Sequence, residues 1–210
     1  MSSYYTACFR LNKNKTVDES KIQAFLKQYR LEYKGVFFSY ALNEDGNLRD
    51  EEREDVSIVT LEQFMTQIND HNFSPKSRLI QSEIRYRCSL GFATVGTERF
   101  CILEDISSSM IFKLADFLRE RNLSVLQLFS SLYQALPADT MVCGMDIYFE
   151  DLLAFMDGIV DEYDVEHYIR IAVGVNEKSL ESLRAFGGKN VLIGNKQGVT
   201  QWGNGAFLGS

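Results

Sequence analysis

The chain is poor in cysteine, proline and histidine: its 210 residues include four, two and two of them, respectively. The cysteines form no CxxC pair and lie in apolar or alternating segments, at Cys8, Cys88, Cys101 and Cys143. This pattern is typical of buried, reduced thiols in a cytoplasmic protein rather than of a disulfide scaffold. Because His71 and His167 are the only imidazoles and no thiolates cluster, we expect no metal site and no cofactor.

Long apolar segments are also missing. The longest uncharged run, residues 122–138, is interrupted by several serines and glutamines, which the hydrocarbon of a membrane would not accept. Residues 1–13 do not combine a basic start with an apolar run, so no signal peptide is expected. The sequence contains no GxxxxGK[ST], GxSxG or HExxH motif. These absences favour a cytoplasmic protein without membrane contact and without catalysis.

Basic residues are absent from one long segment. The net charge is −7 overall, yet residues 122–169 alone carry −9, because nine carboxylates and no lysine or arginine occur there. An acidic balance disfavours direct binding to nucleic acid or to an anionic membrane. It is instead suited to binding a cationic partner, because complementary charge accelerates association.

Hydrophobic periodicity predicts an α+β fold. Strand patterns alternate with helix patterns at both ends of the chain, and period-two alternation over residues 78–103 predicts an antiparallel meander. Strands are predicted at 4–12, 33–42, 56–60, 141–149, 168–175 and 191–193, and helices at 61–69, 107–121, 124–136, 150–163 and 177–186. We expect an antiparallel or mixed sheet with helices mainly on one face. Residues 1–210 would form one domain, or two tightly packed similar lobes at 1–105 and 106–210.

The predicted helix at 150–164 carries the candidate site. On a helical wheel, four carboxylates fall within about 60° of one another, opposite the apolar side. This acidic stripe consists of Glu150, Asp157, Asp161 and Asp164. Since like charges four residues apart repel, helix stability does not explain the stripe. Three interpretations remain open: a solvated face, a docking surface for a cationic partner, or a divalent cation site, for which no DxDxDG loop is present.

Two further segments bear on binding. Residues 43–55 hold seven acids and almost no apolar residue, which predicts a solvated loop. We expect its carboxylates to assist the stripe, namely Glu51, Glu52, Glu54 and Asp55. The helix at 124–136 has a polar but uncharged face opposite its apolar stripe, which predicts packing within the fold or, alternatively, a homo-oligomer contact.

These observations favour an acidic, non-catalytic protein that docks on and occludes a basic protein, such as a toxin or a nucleic-acid-binding enzyme. Bacterial immunity proteins and DNA-mimicking inhibitors share this general character, which is a likeness of character and not of family. One alternative is a small enzyme that uses a carboxylate and histidine cluster at Asp146, Glu150, Asp164, Glu166 and His167. Another is a subunit of a larger assembly.

Overall fold

The structure is a computed structural model that describes residues 4–43, 48–58, 60–69, 78–84, 88–107, 125–186, 192–195 and 198–201. Its strands are β1 (Tyr4–Leu11), β2 (Tyr33–Leu42), β3 (Leu48–Ile58), β4 (Arg78–Ile84), β5 (Cys88–Val95), β6 (Glu98–Ser107), β7 (Ala138–Met145), β8 (Ile169–Val173), β9 (Leu192–Asn195) and β10 (Gly198–Gln201). Its helices are α1 (Glu19–Gln28), α2 (Leu61–Asn69), α3 (Val125–Ala135), α4 (Phe149–Met156), α5 (Glu162–His167) and α6 (Glu177–Phe186). The α+β class is confirmed.

The described strands form one mixed sheet in the order β10-β9-β8-β7-β1-β6-β5-β4-β2-β3. All neighbours are antiparallel except β8 and β9, which are parallel and are joined through α6. Strand β1 lies in the interior of this sheet, between β6 and β7. Strand β1 therefore joins two parts of the sheet, the strands β2 to β6 on one side and β7 to β10 on the other. The division into one domain or two lobes stays a prediction.

Strand β1 shows why the sheet has two cores. Because successive side chains of a strand point to opposite faces, Phe9 and Cys8 are both fully buried but belong to different apolar clusters. Cys8 pairs across the sheet with Ile102 of β6 and Val142 of β7, which lie in the same cluster. Both faces of the sheet at β1 are therefore covered.

The described helices divide between these two faces. Helices α1, α2 and α3 pack on the face of Phe9, and α4, α5 and α6 pack on the face of Cys8. This distribution differs from the expected packing mainly on one face. The physical reason is β8, in which all five residues are buried, since a strand that is apolar on both faces needs cover on both.

Strand β3 corrects the interpretation of the acidic segment. The segment 43–55 was predicted to be a solvated loop, but Leu48–Ile58 is a strand that pairs antiparallel with β2. It lies at the end of the strand order, and charged side chains are typical of edge strands because they discourage pairing with other molecules. Glu51, Glu52, Glu54 and Asp55 are therefore on an edge strand. The predicted helix at 107–121 lies outside the described residues beyond Ser107.

Helix α3 uses part of its neutral polar face inside the fold. The Tyr29 hydroxyl, at the end of α1, donates to the carbonyl oxygen of Gln127 at 2.8 Å and lies 2.8 Å from Ser131 Oγ. Packing of this face within the fold thus accounts for Ser131, and the homo-oligomer contact stays a prediction. In the described part of the chain, no helix is both long and apolar enough to cross a membrane.

Candidate docking surface

The acidic segment after residue 148 is two helices, not one. Helix α4 ends at Met156, Asp157 is its C-cap, and Gly158 adopts a left-handed conformation with φ of +79°. The amide of Ile159 donates to the carbonyl of Ala154 at 2.9 Å, and that of Gly158 donates to Phe155 at 3.1 Å. This is a Schellman motif, which ends a helix and needs glycine at the left-handed position. The single helix predicted at 150–163 is wrong.

Because of this break, two residues of the acidic stripe have structural roles of their own. Asp161 is the N-cap of α5, and its carboxylate accepts a hydrogen bond from the amide of Tyr163 at 2.8 Å. Asp157 forms an ion pair with Arg10 of β1. Local stability therefore does explain these two carboxylates, contrary to the sequence argument, which treated all four as unexplained.

Arg10 was not identified from the sequence as a functional residue. It follows Cys8 on the same face of β1, and its guanidinium lies 5.6 Å from the ring centre of Phe100, which in turn packs edge-on against Phe149 of α4. The Arg10 side chain is 23% exposed and Asp157 is 57% exposed, so the pair is at the surface. Arg10 and Asp157 are 147 residues apart in sequence, so no local pattern predicts their contact. The only local sign is that a polar residue, Arg10, stands near the end of an alternating strand.

An open groove of about 480 Å³ surrounds this ion pair. Strand β1, the turn between β5 and β6, and helix α4 form its walls. Its charged lining residues are Arg10, Glu98, Glu150, Asp151 and Asp157. Four carboxylates against one guanidinium give the lining a net charge of −3, and we call this feature the acidic groove. The structure thus brings Glu150 and Asp157 together here and adds Glu98 and Asp151, which sequence reasoning had not selected.

The remaining predicted residues are placed elsewhere. Asp164 lies on α5, where burial and then the charges of Asp161 and Asp151 raise the pKa of its carboxyl. Burial is the larger cause, and the two neighbouring carboxylates add to it. The edge strand β3 is five positions from β1 in the sheet, roughly 24 Å along it. The two acidic segments therefore occupy different parts of the sheet, and a binding role for the β3 carboxylates stays a prediction.

His167, from the enzyme alternative, is engaged with its neighbours. Its Nδ1 is 2.9 Å from the carbonyl oxygen of Tyr163, and its ring stacks on the Tyr163 ring with centres 4.1 Å apart. The Glu166 carboxylate is 4.0 Å from the same nitrogen. Over the described residues, no group of three or more histidine, cysteine, aspartate or glutamate side chains is arranged to hold a metal ion.

No known protein family, curated protein or solved structure matches this chain. The physical features of the surface are therefore the basis for assigning a function.

The structure describes the side chains of Cys8, Cys101 and Cys143, and all three are buried free thiols. Burial raises the pKa of each thiol, and that of Cys143 rises to about 12. A protonated, inaccessible thiol is a poor nucleophile. These residues therefore act as small apolar side chains in the two cores.

Proposed function

We propose that this chain is an acidic, non-catalytic binding protein whose acidic groove docks on a basic protein and occludes it. The observation that carries the proposal is the lining of the groove, where Glu98, Glu150 and Asp151 accompany a single ion pair. Arg10 can balance only one of the four carboxylates. A lysine- or arginine-rich surface would supply the missing positive charge.

An exposed apolar side chain in the groove, and an exposed tyrosine two residues before Glu150, support the same proposal. Ile159, which lines the groove, is 69% exposed, and Tyr148, just before α4, is 73% exposed. Protein interfaces combine a few such apolar or aromatic anchors with a polar rim. The anchors would add contact area, while the carboxylates would speed association and pair with side chains that the partner otherwise uses to hold phosphate. A toxin or a nucleic-acid-binding enzyme is a partner of this kind.

A cytoplasmic location belongs to the same proposal. The three described cysteines are reduced and buried, and a reducing compartment keeps thiols in that state. The partner would then be encountered inside the cell.

The test begins with affinity capture from the source organism at low and at high salt, followed by purification of the captured protein. Association rates are then measured for the wild type and for the double variant Glu150→Gln/Asp151→Asn. We expect the variant to associate several-fold more slowly and with a flatter salt dependence, because two groove charges are gone.

The matched control is Glu32→Gln/Glu62→Gln, which removes the same net charge at exposed positions near α1 and α2, on the other face of the sheet. If the control slows association as much as the groove variant, net charge alone matters and the groove is not the site. Unchanged kinetics in both variants would contradict docking through the groove.

An enzyme is the second candidate function, and the observation that favours it is the placement of Asp164, Glu166 and His167 on α5, with the Glu166 carboxylate 4.0 Å from His167 Nδ1. Carboxylates and an imidazole held together can serve as general acid and base toward a small cationic substrate. Activity that depends on Asp164 but on no partner protein would favour this alternative over docking.

A further inference from the structure

Four accessible tyrosines lie near the end of β7: the Tyr4 backbone bonds to Asp146, the Tyr168 carbonyl accepts from the Met145 amide, Tyr163 contacts Tyr168, and Tyr148 follows in sequence. Tyr4, Tyr148 and Tyr163 are 47%, 73% and 57% exposed, and Tyr168 follows α5 at an intermediate level. We call these four residues the tyrosine patch. Contiguous exposed aromatic surface, as Tyr163 and Tyr168 form with His167, is typical of a site that meets a ligand or partner.

The rings at the centre of the patch are held in place. Tyr163 stacks on His167, with an interplanar angle of 21°, and packs edge-on against Tyr168 at 5.7 Å between ring centres. A hydrogen bond between the Tyr163 and Tyr168 side chains raises the pKa of Tyr168. Because these contacts already restrict the rings, a ligand that stacks on them loses less entropy on binding.

Carboxylates surround the patch. The amide of Tyr4 donates to Asp146 Oδ1 at 2.9 Å, and the amide of Asp146 donates back to the Tyr4 carbonyl at 2.8 Å. Asp146 adopts a left-handed φ of +54°, and this exchange holds its carboxylate beside Tyr4. Asp146 and Asp164 both lie close enough to Tyr168 to contribute to the raised pKa of its hydroxyl.

Arg170, two residues after Tyr168, does not neutralise this surface directly. The Arg170 guanidinium donates to the backbone carbonyls of Ile169 and His167, and the residue is only 9% exposed. It therefore lies beneath the surface that a partner would meet. The surface of the patch therefore presents tyrosine rings together with carboxylates.

We propose that the tyrosine patch binds arginine side chains of the basic partner, and this inference rests on the proposed docking function. A guanidinium is planar and weakly hydrated, so it stacks on a tyrosine face while its N–H groups donate to carboxylates. A lysine ammonium is a compact, strongly hydrated charge and gains less from an aromatic face. The patch thus selects arginine, whereas the acidic groove attracts either cation.

The test uses two labelled peptides of equal length and charge, one rich in arginine and one rich in lysine. Their dissociation constants are measured by fluorescence anisotropy with the wild type and with the separate variants Tyr163→Leu and Tyr148→Leu. We expect the wild type to prefer the arginine peptide, and each variant to lose roughly two- to fivefold of that preference. Leucine keeps an apolar side chain but removes the aromatic face.

Phe186→Leu is the matched control, because Phe186 is an exposed aromatic residue at the end of α6. It should leave the preference for arginine unchanged, and Glu150→Gln/Asp151→Asn should weaken both peptides by a similar factor. Equal affinity of the wild type for the two peptides would overturn the inference but not the docking function. Absence of binding by either peptide would overturn both.

Discussion

Replacing Gly158 by alanine distinguishes the structure from the helix that the sequence predicts. In a continuous helix over 150–163, the substitution would stabilise the protein by about 1 kcal/mol, because alanine is the better helix former. In the structure, Gly158 has a φ of +79° and closes the Schellman motif that ends α4. There, the substitution destabilises, so the two descriptions differ in the sign of the effect.

Two costs determine how much Gly158→Ala destabilises the protein. A left-handed conformation costs a residue with a Cβ about 1–2 kcal/mol. The added Cβ would also lie 2.9 Å from Asn176 Nδ2 and 3.2 Å from Asn176 Oδ1. That amide is already fixed, since it donates to the Met156 carbonyl and accepts from the Ser179 amide, each at 2.9 Å. Loss of one such bond costs about 0.5–1.5 kcal/mol, which gives a total destabilisation of roughly 1.5–3.5 kcal/mol.

The assay is chemical denaturation of the wild type and of Gly158→Ala, with a Tm lower by roughly 3–14 °C as a second readout. Gly96→Ala is the control, because Gly96 also has a positive φ, +58°, but no atom lies within 4 Å of the added Cβ. It should show the conformational cost without the contact with Asn176. A Gly158→Ala protein that is more stable and more helical than the wild type would refute the break between α4 and α5.

Three further predictions concern side chains around the acidic groove and the cores. Asp161→Ala should destabilise by about 1 kcal/mol in urea denaturation, because it removes the N-cap of α5, whereas Asp161→Asn should change stability by only a few tenths; equal effects would exclude the cap. A double-mutant cycle of Arg10→Ala and Asp157→Asn should give a coupling of about 0.2–1 kcal/mol that falls with added salt, as expected for an exposed pair; zero coupling at low salt would show that the pair contributes nothing. Because Cys143 is buried and its pKa is raised to about 12, the native protein should resist alkylation at pH 8, while denaturation without reductant should release four thiols; rapid native labelling or fewer thiols would contradict this.

Elements whose signals are local could be predicted closely. The predicted ranges 33–42, 61–69 and 177–186 coincide with β2, α2 and α6. Each has a periodic apolar pattern, and the last is followed by two glycines that indicate the end of a helix. Pattern and end signals together were sufficient for these elements.

The break at Gly158 has a local signal, the glycine itself, but this signal is weak. A single glycine inside an otherwise helical pattern is usually tolerated, and the apolar period continues on both sides of it. A tertiary contact accompanies the end of the helix. Asn176 donates to the carbonyl of Met156 and occupies the space where a Cβ of residue 158 would lie. A helical wheel contains no such information.

Strand β3 and the Arg10–Asp157 pair illustrate contacts that a local pattern cannot contain. Acidic residues are depleted in strands, so composition alone predicts a loop at 43–55. The strand exists because β2 supplies a hydrogen-bonding partner, with Phe38 opposite Asp55 and Ser39 opposite Glu54. Edge position and ion pairing are properties of the assembled sheet, not of the segment.

The structure changes which part of the acidic bias needs a functional explanation. Asp157 pairs with Arg10, Asp161 caps α5 and Asp146 binds the Tyr4 amide, so several individual carboxylates have structural reasons. None of these contacts explains why residues 122–169 contain no lysine or arginine, because exposed positions such as Tyr148 would accept a basic side chain without loss of a described contact. A stabilising surface would mix both signs, as pairs along helices usually do. The absence of basic residues, more than the number of acids, is therefore the feature that the proposed docking on a cationic partner would explain.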